Sequence, residues 1–140
     1  MAKRWLYLLL AATLLVSFCG CDDRAGKTEI FVFVQTHENA LLQAIEHEDF
    51  SSLENRDVVK SIYPDEQCVD FSCGGAGFGP ATSYVGFFYT PDHDMGAVWC
   101  GCDAALLVPC GVGFEHRWNG DNRYYVEHIC GNFYYYEASY

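Results

Sequence analysis

Basic residues are scarce in this chain: eight Lys and Arg stand against 19 Asp and Glu over 140 residues, a net charge of −11. Two of the eight, Lys3 and Arg4, precede a long apolar run, so residues 22–140 contain six basic and 19 acidic residues, or −13. Nucleic acids and anionic lipid surfaces repel a domain this acidic. We therefore expect no nucleic-acid partner, and the charge suits divalent cations or a basic partner.

Long repeats and low-complexity linkers are also absent, and the length fits one domain. An apolar run from Trp5 to Phe18 follows the first basic residues, which is the pattern of an export signal. Gly20 and Cys21 supply the small residue and the cysteine of a lipoprotein signal, so Cys21 is the expected site of lipid attachment. Left uncut, the 17 residues from Trp5 to Cys21 are at the short end of what spans a bilayer. Plain cleavage has the least support, because no A-x-A-like site is present.

Lipid attachment, an uncut anchor and plain cleavage all place residues 22–140 outside the cytoplasm. Asp22 and Asp23 follow the apolar run and basic residues precede it, which gives the same orientation by the positive-inside rule. We expect residues 1–21 to be a signal, a lipoprotein signal or a membrane anchor. Residues 22–140 should form a single acidic domain at the extracytoplasmic face of the cell membrane.

Apolar residues recur at helical spacing from Thr28 to about Glu48, which predicts one helix with a single buried stripe. The alternative is a strand over Ile30–Val34 followed by a shorter helix, because I-F-V-F-V is rich in strand formers. We favour one helix. The residues of the predicted stripe are Ile30, Val34, His37, Leu41 and Ile45.

From Val58 onward, short runs rich in Val, Phe and Tyr are separated by Gly, Pro, Asp and Asn, which is typical of strands and turns. Strands this close in sequence leave no room for crossover helices, so the sheet should be antiparallel. The glycine-rich stretch from Gly74 to Pro80 should be a tight bend, or a place where the backbone of another strand approaches closely. The sequence thus predicts an α+β domain, with an N-terminal helix packed on an antiparallel β-meander of about five to seven strands. The predicted strands are Val58–Tyr63, Cys68–Cys73, Tyr84–Thr90, Ala97–Cys102, Phe114–Trp118, Arg123–Cys130 and Phe133–Ala138.

The last two predicted strands form a hairpin around Gly131 and Asn132, a two-residue turn signal. With that turn, Glu127 pairs with Tyr136, and Glu137 falls on the opposite face from Glu127. Each face then carries a carboxylate among tyrosines. Two interpretations stay open: phenol hydroxyls satisfy half-buried carboxylates, or the side chains form an aromatic and acidic ligand groove.

Paired motifs occupy the C-terminal half of the chain. They are G-F-G-P-A-T-S-Y-V-G-F-F-Y-T-P-D from Gly77 to Asp92 and the ending N-F-Y-Y-Y-E-A-S-Y. These motifs resemble a family of small exported or membrane-anchored proteins of Gram-positive gut bacteria, with the pattern G-x-G-P-S-T-x-Y-x-G-F-Y-Y-S-P-D-D and an ending of W-Y-Y-Y-E-A-S-F type. The chain departs from that pattern at His93, at Phe133 and in its larger number of cysteines. The family has no assigned activity, so the resemblance implies an architecture and no catalytic residue.

Six cysteines lie in the globular part, and an even number outside the cytoplasm predicts disulfides. Free buried thiols are the main alternative, because cysteine is a common small core residue. Zinc is the third: Cys100, Cys102, Cys110 and His116 could supply four ligands, although no C-x-x-C knuckle is present. We expect no metal and no other cofactor. The disulfide candidates are Cys68, Cys73, Cys100, Cys102, Cys110 and Cys130.

Three classes of function are open for this domain. We favour a membrane-tethered binding or accessory module without catalytic activity, whose aromatic side chains contact a protein or glycan partner; the same residues could instead simply form the core. The second class is an inhibitor or regulator of a basic cell-wall enzyme, steered by the acidic charge. The third is a hydrolase using two carboxylates such as Glu127 and Glu137. The candidate ligand-binding residues are Tyr84, Tyr89, Trp99, Tyr125, Glu127 and Tyr136.

Overall fold

The computed structural model of this chain describes residues 22–53, 57–78, 81–98 and 103–140. The predicted signal or anchor at residues 1–21, including Cys21, lies outside the described residues. Within the described ranges, none of the helical structure is both long and apolar enough for a membrane span.

One helix, α1, spans Lys27–His47 and precedes all the strands, as predicted. It begins at Gly26, whose backbone N–H donates to the Glu29 carboxylate at 3.4 Å and so satisfies one donor of the first turn. It ends at Glu48, which has a left-handed backbone with a φ of 52°. The alternative of a strand over Ile30–Val34 is therefore wrong. The buried stripe consists of Ile30, Phe33, Val34, Leu41 and Ala44.

Seven strands follow: β1 Ser61–Pro64, β2 Val69–Phe78, β3 Ala81–Tyr89, β4 Val108–Cys110, β5 Gly113–Trp118, β6 Asn122–Cys130 and β7 Phe133–Ser139. They form one antiparallel sheet in the order β1-β2-β3-β7-β6-β5-β4, which confirms the α+β class. The sheet consists of two runs of hairpins, β1 to β3 and β4 to β7, which meet where β3 pairs with β7. A 3₁₀ turn at Ala104–Leu106 precedes β4.

Strand β2 continues through the described part of the glycine-rich stretch, so its glycines serve the close approach of a neighbouring backbone and not a tight bend. It pairs with β3 as far as Phe78 opposite Ala81, with a bulge between Ser72 and Gly75. Gly77 has a φ of 120°, and a Cβ at this position would lie 2.0 Å from the Ala81 carbonyl oxygen. The strand can follow this path because glycine has no side chain to collide with its neighbour.

The strand predicted at Ala97–Cys102 is wrong in its described part, because Ala97 and Val98 lie in a turn. Residues 99–102 are outside the described ranges. Strand β4 was not predicted: it has three residues with Pro109 at its centre, and so short a segment shows no alternation of apolar and polar residues that would mark a strand.

Each face of the sheet has its own buried cluster. On the face that carries α1, Phe71 and Phe87 are fully buried and their rings stack with centroids 4.6 Å apart. On the opposite face, Phe88 and Tyr124 belong to a second cluster, which is partly covered by residues 95–98 and Leu107. The Tyr124 hydroxyl donates a hydrogen bond of 2.8 Å to a backbone carbonyl in this covering segment.

The hairpin of β6 and β7 turns at Gly131 and Asn132 as predicted, and Cys130 pairs with Phe133. A bulge between His128 and Cys130 then changes the register of the rest of the hairpin by one residue. A bulge places two residues of one strand against one of the other, and it cannot be read from the turn alone.

As a result, Glu127 lies opposite Tyr135, and Tyr125 lies opposite Glu137. The predicted pairing of Glu127 with Tyr136 is wrong. The placement of Glu127 and Glu137 on opposite faces is also wrong, because a change of one residue in register exchanges the two faces of a strand. Both glutamates lie on the face that carries α1.

Candidate functional site

A cleft of about 380 Å³ opens on the sheet face opposite α1. We call it the tyrosine cleft. Four of its lining residues are tyrosines, and one is an aspartate. The lining consists of Tyr63, Asp70, Ser72, Tyr84, Val98, Tyr136, Ala138 and Tyr140.

Strand pairing brings these residues together from four strands. Asp70 on β2 lies opposite Tyr63 on β1. Ser72 on β2 lies opposite Gly86 on β3, which in turn lies opposite Tyr136 on β7. Partners across antiparallel strands project from the same face, so the aspartate, the serine and the tyrosines all line this side of the sheet.

The ring of Tyr136 lies directly over Gly86. A Cβ on Gly86 would be 2.7 Å from the Cε1 atom of Tyr136 and 2.6 Å from the Phe71 carbonyl oxygen. Glycine therefore leaves the space through which the Tyr136 ring crosses β3 toward β2. This placement brings the phenol hydroxyl to Asp70, for which it acts as a hydrogen-bond donor.

Asp70 has an unusual environment for a carboxyl group. Burial raises its pKa from 3.8 to about 6, and the hydrogen bond from Tyr136 opposes this rise only in part. One carboxylate oxygen, Oδ1, is buried and has no hydrogen-bond partner within the described part of the chain. Buried polar atoms almost always have a partner, so Oδ1 is an unsatisfied acceptor at the cleft.

The rim of the cleft is aromatic and open to solvent. Tyr63, Tyr84 and Tyr140 are 59%, 43% and 47% exposed, and they are the three exposed large aromatic side chains among the described residues. The rings of Tyr84 and Tyr140 meet edge to face, with centroids 6.1 Å apart. Exposed aromatic rings gathered around a partly buried carboxyl group are typical of a binding site.

The face that carries α1 has a different cluster of tyrosines and glutamates. The Lys27 ammonium pairs with the Glu127 carboxylate and lies 5.2 and 5.4 Å from the ring centroids of Tyr125 and Tyr135. The Tyr125 hydroxyl donates to Glu127 at 2.5 Å, and the Tyr135 hydroxyl donates to Glu137 at 2.7 Å. Phenol hydroxyls thus satisfy half-buried carboxylates, which was the first of the two interpretations.

A second cleft, of about 450 Å³, lies beside this cluster at the start of α1. Its cations are paired. Arg24 binds Asp22 at 2.8 Å and the Ser83 hydroxyl at 3.0 Å, and Arg123 binds Glu137 at 3.4 Å as well as a glutamate on β5. This cleft is larger than the tyrosine cleft, but its ionic groups already have partners. We therefore regard the tyrosine cleft as the better candidate for a ligand site.

The electrostatics of the cluster do not suit acid catalysis. Burial raises the pKa of Glu127, but hydrogen bonds from Lys27 and Tyr125 outweigh burial and hold that pKa below its ordinary value. A general acid needs the opposite shift. The two glutamates share a face, as a hydrolase would require, but Glu127 is held in the ionised form by its neighbours.

The residues predicted to bind a ligand separate into distinct places. Tyr84 and Tyr136 line the tyrosine cleft. Tyr125 and Glu127 belong to the cluster under α1, and Tyr89 packs beside Phe133 at a centroid distance of 5.3 Å, in contact with the core on the α1 face. Trp99 lies outside the described residues.

Sequence reasoning missed Asp70, Tyr63 and Tyr140. A signal for Asp70 was present: in the predicted strand V-D-F-S-C the polar residues Asp70 and Ser72 alternate with apolar ones, which places them on one face. Tyr63 and Tyr140 carried no comparable signal, because only the strand order brings them to the same cleft.

The described cysteines form no disulfide with one another. Cys73, Cys110 and Cys130 are free thiols, and the Cys68 thiol donates to a backbone carbonyl at 3.6 Å. Burial raises the pKa of Cys73 to about 12. Cys100 and Cys102 are outside the described ranges, so disulfides that involve them stay a prediction.

Two members of the weak zinc set are described, and they lie apart. Cys110 is opposite Gly113, while His116 is three residues further along β5, so the two side chains project from opposite faces of the sheet. In the part of the chain that the structure describes, no three His, Cys, Asp or Glu residues are grouped to hold a metal ion.

Comparisons with protein-family models, with curated proteins and with solved structures find no match to this chain. The structure itself therefore has to support any function assigned to it.

Proposed function

We propose that this protein is a membrane-tethered, extracytoplasmic binding module and that the tyrosine cleft is its ligand site. One observation carries the proposal: the three exposed large aromatic side chains of the described residues surround one partly buried carboxyl group with an unpartnered oxygen. Aromatic rings supply contact area at low entropic cost, and the carboxylate supplies a directional acceptor.

Binding without catalysis is the better use of this cleft. Asp70 carries the one side-chain carboxylate among its described lining residues, and the other titratable side chains there are tyrosines. Glycoside hydrolysis of the common type needs two carboxylates on either side of the bond that breaks. One carboxyl group among tyrosines is sufficient to hold a ligand and orient it.

The acidic composition supports a related second function, an inhibitor or regulator of a basic enzyme. Four of the described cations, Arg24, Lys27, Arg117 and Arg123, each pair with a carboxylate of the same chain. The acidic residues outnumber them, so the surface attracts a cationic partner at a rate that falls with added salt. An association rate independent of salt would remove this alternative.

The tether is the part of the proposal that depends on residues 1–21. We propose acylation at Cys21 or an uncut anchor, and the family that the C-terminal motifs resemble has the same exported or anchored character. Mass spectrometry of the protein purified from its own membrane distinguishes these forms. A mass that starts at Cys21 with acyl chains indicates a lipoprotein, a full-length mass indicates an anchor, and an unacylated shortened chain contradicts a tether.

The ligand site is tested by fluorine NMR of the full-length protein, labelled with 3-fluorotyrosine and held in detergent micelles. Neutral oligosaccharides, neutral peptides and basic peptides are titrated in turn. We expect at least one class to shift the signals of Tyr63 and Tyr140, and to lose its effect on the remaining signals in the Tyr63→Ala/Tyr140→Ala double variant. Tyr89→Phe, outside the cleft, is the matched control. If no class shifts the rim signals, the cleft is not a binding site.

A further inference from the structure

We infer that the tyrosine cleft binds a protonated primary amine on an aliphatic stem, and that the natural occupant is a lysine side chain of a peptide or protein partner. This inference rests on the proposed function, because it names the ligand class of the same cleft.

Charge favours a cation. Asp70 has the one charged side chain among the described lining residues, which include no Lys, Arg or His. Four of the described cations are paired with carboxylates elsewhere in the domain. Within the described part of the chain no cation pairs with the Asp70 carboxylate, and an incoming cation would supply a counter-ion.

Hydrogen-bond geometry favours an ammonium group over other cations. Tyr136 already donates to the Asp70 carboxyl group, which leaves Oδ1 as the oxygen without a partner. A guanidinium group binds best to both oxygens of a carboxylate at once, whereas an ammonium group is a compact donor that suits one oxygen. A quaternary ammonium has no N–H and would leave the buried acceptor unsatisfied.

The walls of the cleft favour an aliphatic stem. Tyr84 and Tyr140 stand edge to face at the rim, and Val98 and Ala138 complete the lining. Methylene groups pack on such apolar and aromatic surfaces, and tyrosine rings attract the ammonium group through their π faces. A volume of about 380 Å³ accommodates a lysine side chain together with part of its backbone.

The open rim favours a side chain of a larger partner. Tyr63, Tyr84 and Tyr140 are exposed around the mouth of the cleft, so flanking residues of a peptide have aromatic surface to contact. A domain that carries −13 over residues 22–140 also attracts basic chains over a distance of several ångströms. A free small amine would leave this rim unused.

The test compares four probes on the full-length protein in detergent micelles, by fluorine NMR of the tyrosines and by calorimetry. They are a blocked tripeptide with a central lysine, the same tripeptide with norleucine, the same with arginine, and free cadaverine. We expect the lysine peptide to bind at least about tenfold more tightly than each of the others. Asp70→Asn should remove that advantage, while Asp92→Asn, which removes the same charge from an exposed loop, should keep it.

Other results overturn the inference in distinguishable ways. If lysine and norleucine peptides bind equally and Asp70→Asn changes neither, the ligand class is wrong while the cleft remains a binding site. If cadaverine binds as tightly as the lysine peptide, the peptide source is wrong. If no probe and no neutral oligosaccharide shifts the rim tyrosines, the inference and the proposed function both fail. A lysine advantage that persists in Asp70→Asn assigns the amine to another site.

Discussion

Replacing Asp70 with asparagine should stabilise the protein near neutral pH. Burial raises the pKa of this carboxyl group from 3.8 to about 6, so the folded protein tolerates its charge less well than the unfolded chain does. Each pKa unit corresponds to about 1.4 kcal/mol, which makes the penalty roughly 3 kcal/mol. Asparagine carries no charge, so we expect the free energy of unfolding to rise by about 2–3 kcal/mol and the Tm by roughly 5–10 °C.

The sign of the pH dependence follows from the direction of the shift. Folding raises the pKa, so the penalty is absent well below the unfolded value of 3.8, grows as the pH rises, and is complete above about 6. The other titratable side chains among the described residues that line the cleft are tyrosines, from β1, β3, β7 and position 140. At pH 4, therefore, the stabilities of the variant and the wild type should differ by less than about 1 kcal/mol.

Urea unfolding at pH 7.5 and at pH 4 measures both quantities. Asp92→Asn is the matched control, because it removes the same charge from an exposed position and should change stability by no more than about 0.5 kcal/mol. If Asp70→Asn lowers stability at pH 7.5, or changes it equally at both pH values, then Asp70 is a structural hydrogen-bond acceptor and our reasoning about its burial is wrong.

Three further substitutions and one chemical labelling test other parts of the structure. Gly86→Ala should lower the free energy of unfolding by about 1–3 kcal/mol, because the new methyl group collides with the Tyr136 ring. Its control is Gly26→Ala, where a Cβ meets nothing within 4 Å. Equal effects of the two substitutions would refute the close contact. Lys27→Met should lower the free energy of unfolding by about 1–3 kcal/mol, because it leaves Glu127 without its cation. Lys60→Met, at an exposed site, should lower it by less than about 0.5 kcal/mol. Similar urea midpoints for the two variants would contradict a stabilising role for the ion pair of Lys27 and Glu127. Phe71→Ala should lower the free energy of unfolding by about 3–5 kcal/mol, because this fully buried ring stacks on Phe87. A decrease below about 1 kcal/mol would contradict that packing. Cys73, whose pKa is raised to about 12 by burial, should resist iodoacetamide until the protein unfolds, and peptide mapping that finds it alkylated as fast as Cys110 would show that it is accessible.

The coarse architecture could be predicted because it depends on local periodicity. The helix was evident from apolar residues at a spacing of three and four, and the structure places Ile30, Val34 and Leu41 in its buried stripe. The antiparallel sheet followed from the short distances between strands in the sequence. These features need no knowledge of which strands are neighbours.

The register and the cleft depend on contacts between distant parts of the chain. The bulge beside Cys130 places Glu127 and Tyr136 on opposite faces, whereas the prediction put them on one face, and nothing in the turn sequence signals it. The tyrosine cleft is lined by Tyr63, Asp70 and Tyr140. Asp70 lies beside Tyr63 because β2 pairs with β1, and Tyr140 lies beside β3 because its N–H donates to the Thr82 carbonyl. Strand order, which sequence patterns do not specify, therefore determines the candidate site.

The two faces of the sheet carry different kinds of tyrosine–carboxylate contact. Under α1, Glu127 has a lysine and a phenol as partners, and its pKa is lowered. In the tyrosine cleft, Asp70 has no cationic partner among the described residues, and its pKa is raised. Stability is best served by the first arrangement, while an unsatisfied carboxylate in a cleft is typical of a functional position.

The binding of an amine at Asp70 can be measured most directly on the carboxyl carbon itself. In full-length protein labelled with carbon-13 at aspartate, the Asp70 Cγ signal is followed from pH 4 to pH 8, first without ligand and then with a saturating blocked lysine peptide. We expect a midpoint near pH 6 in the free protein and a lower midpoint with the peptide, because an ammonium partner favours the ionised carboxylate. A midpoint that the lysine peptide leaves unchanged would contradict the assignment of the tyrosine cleft as an amine-binding site.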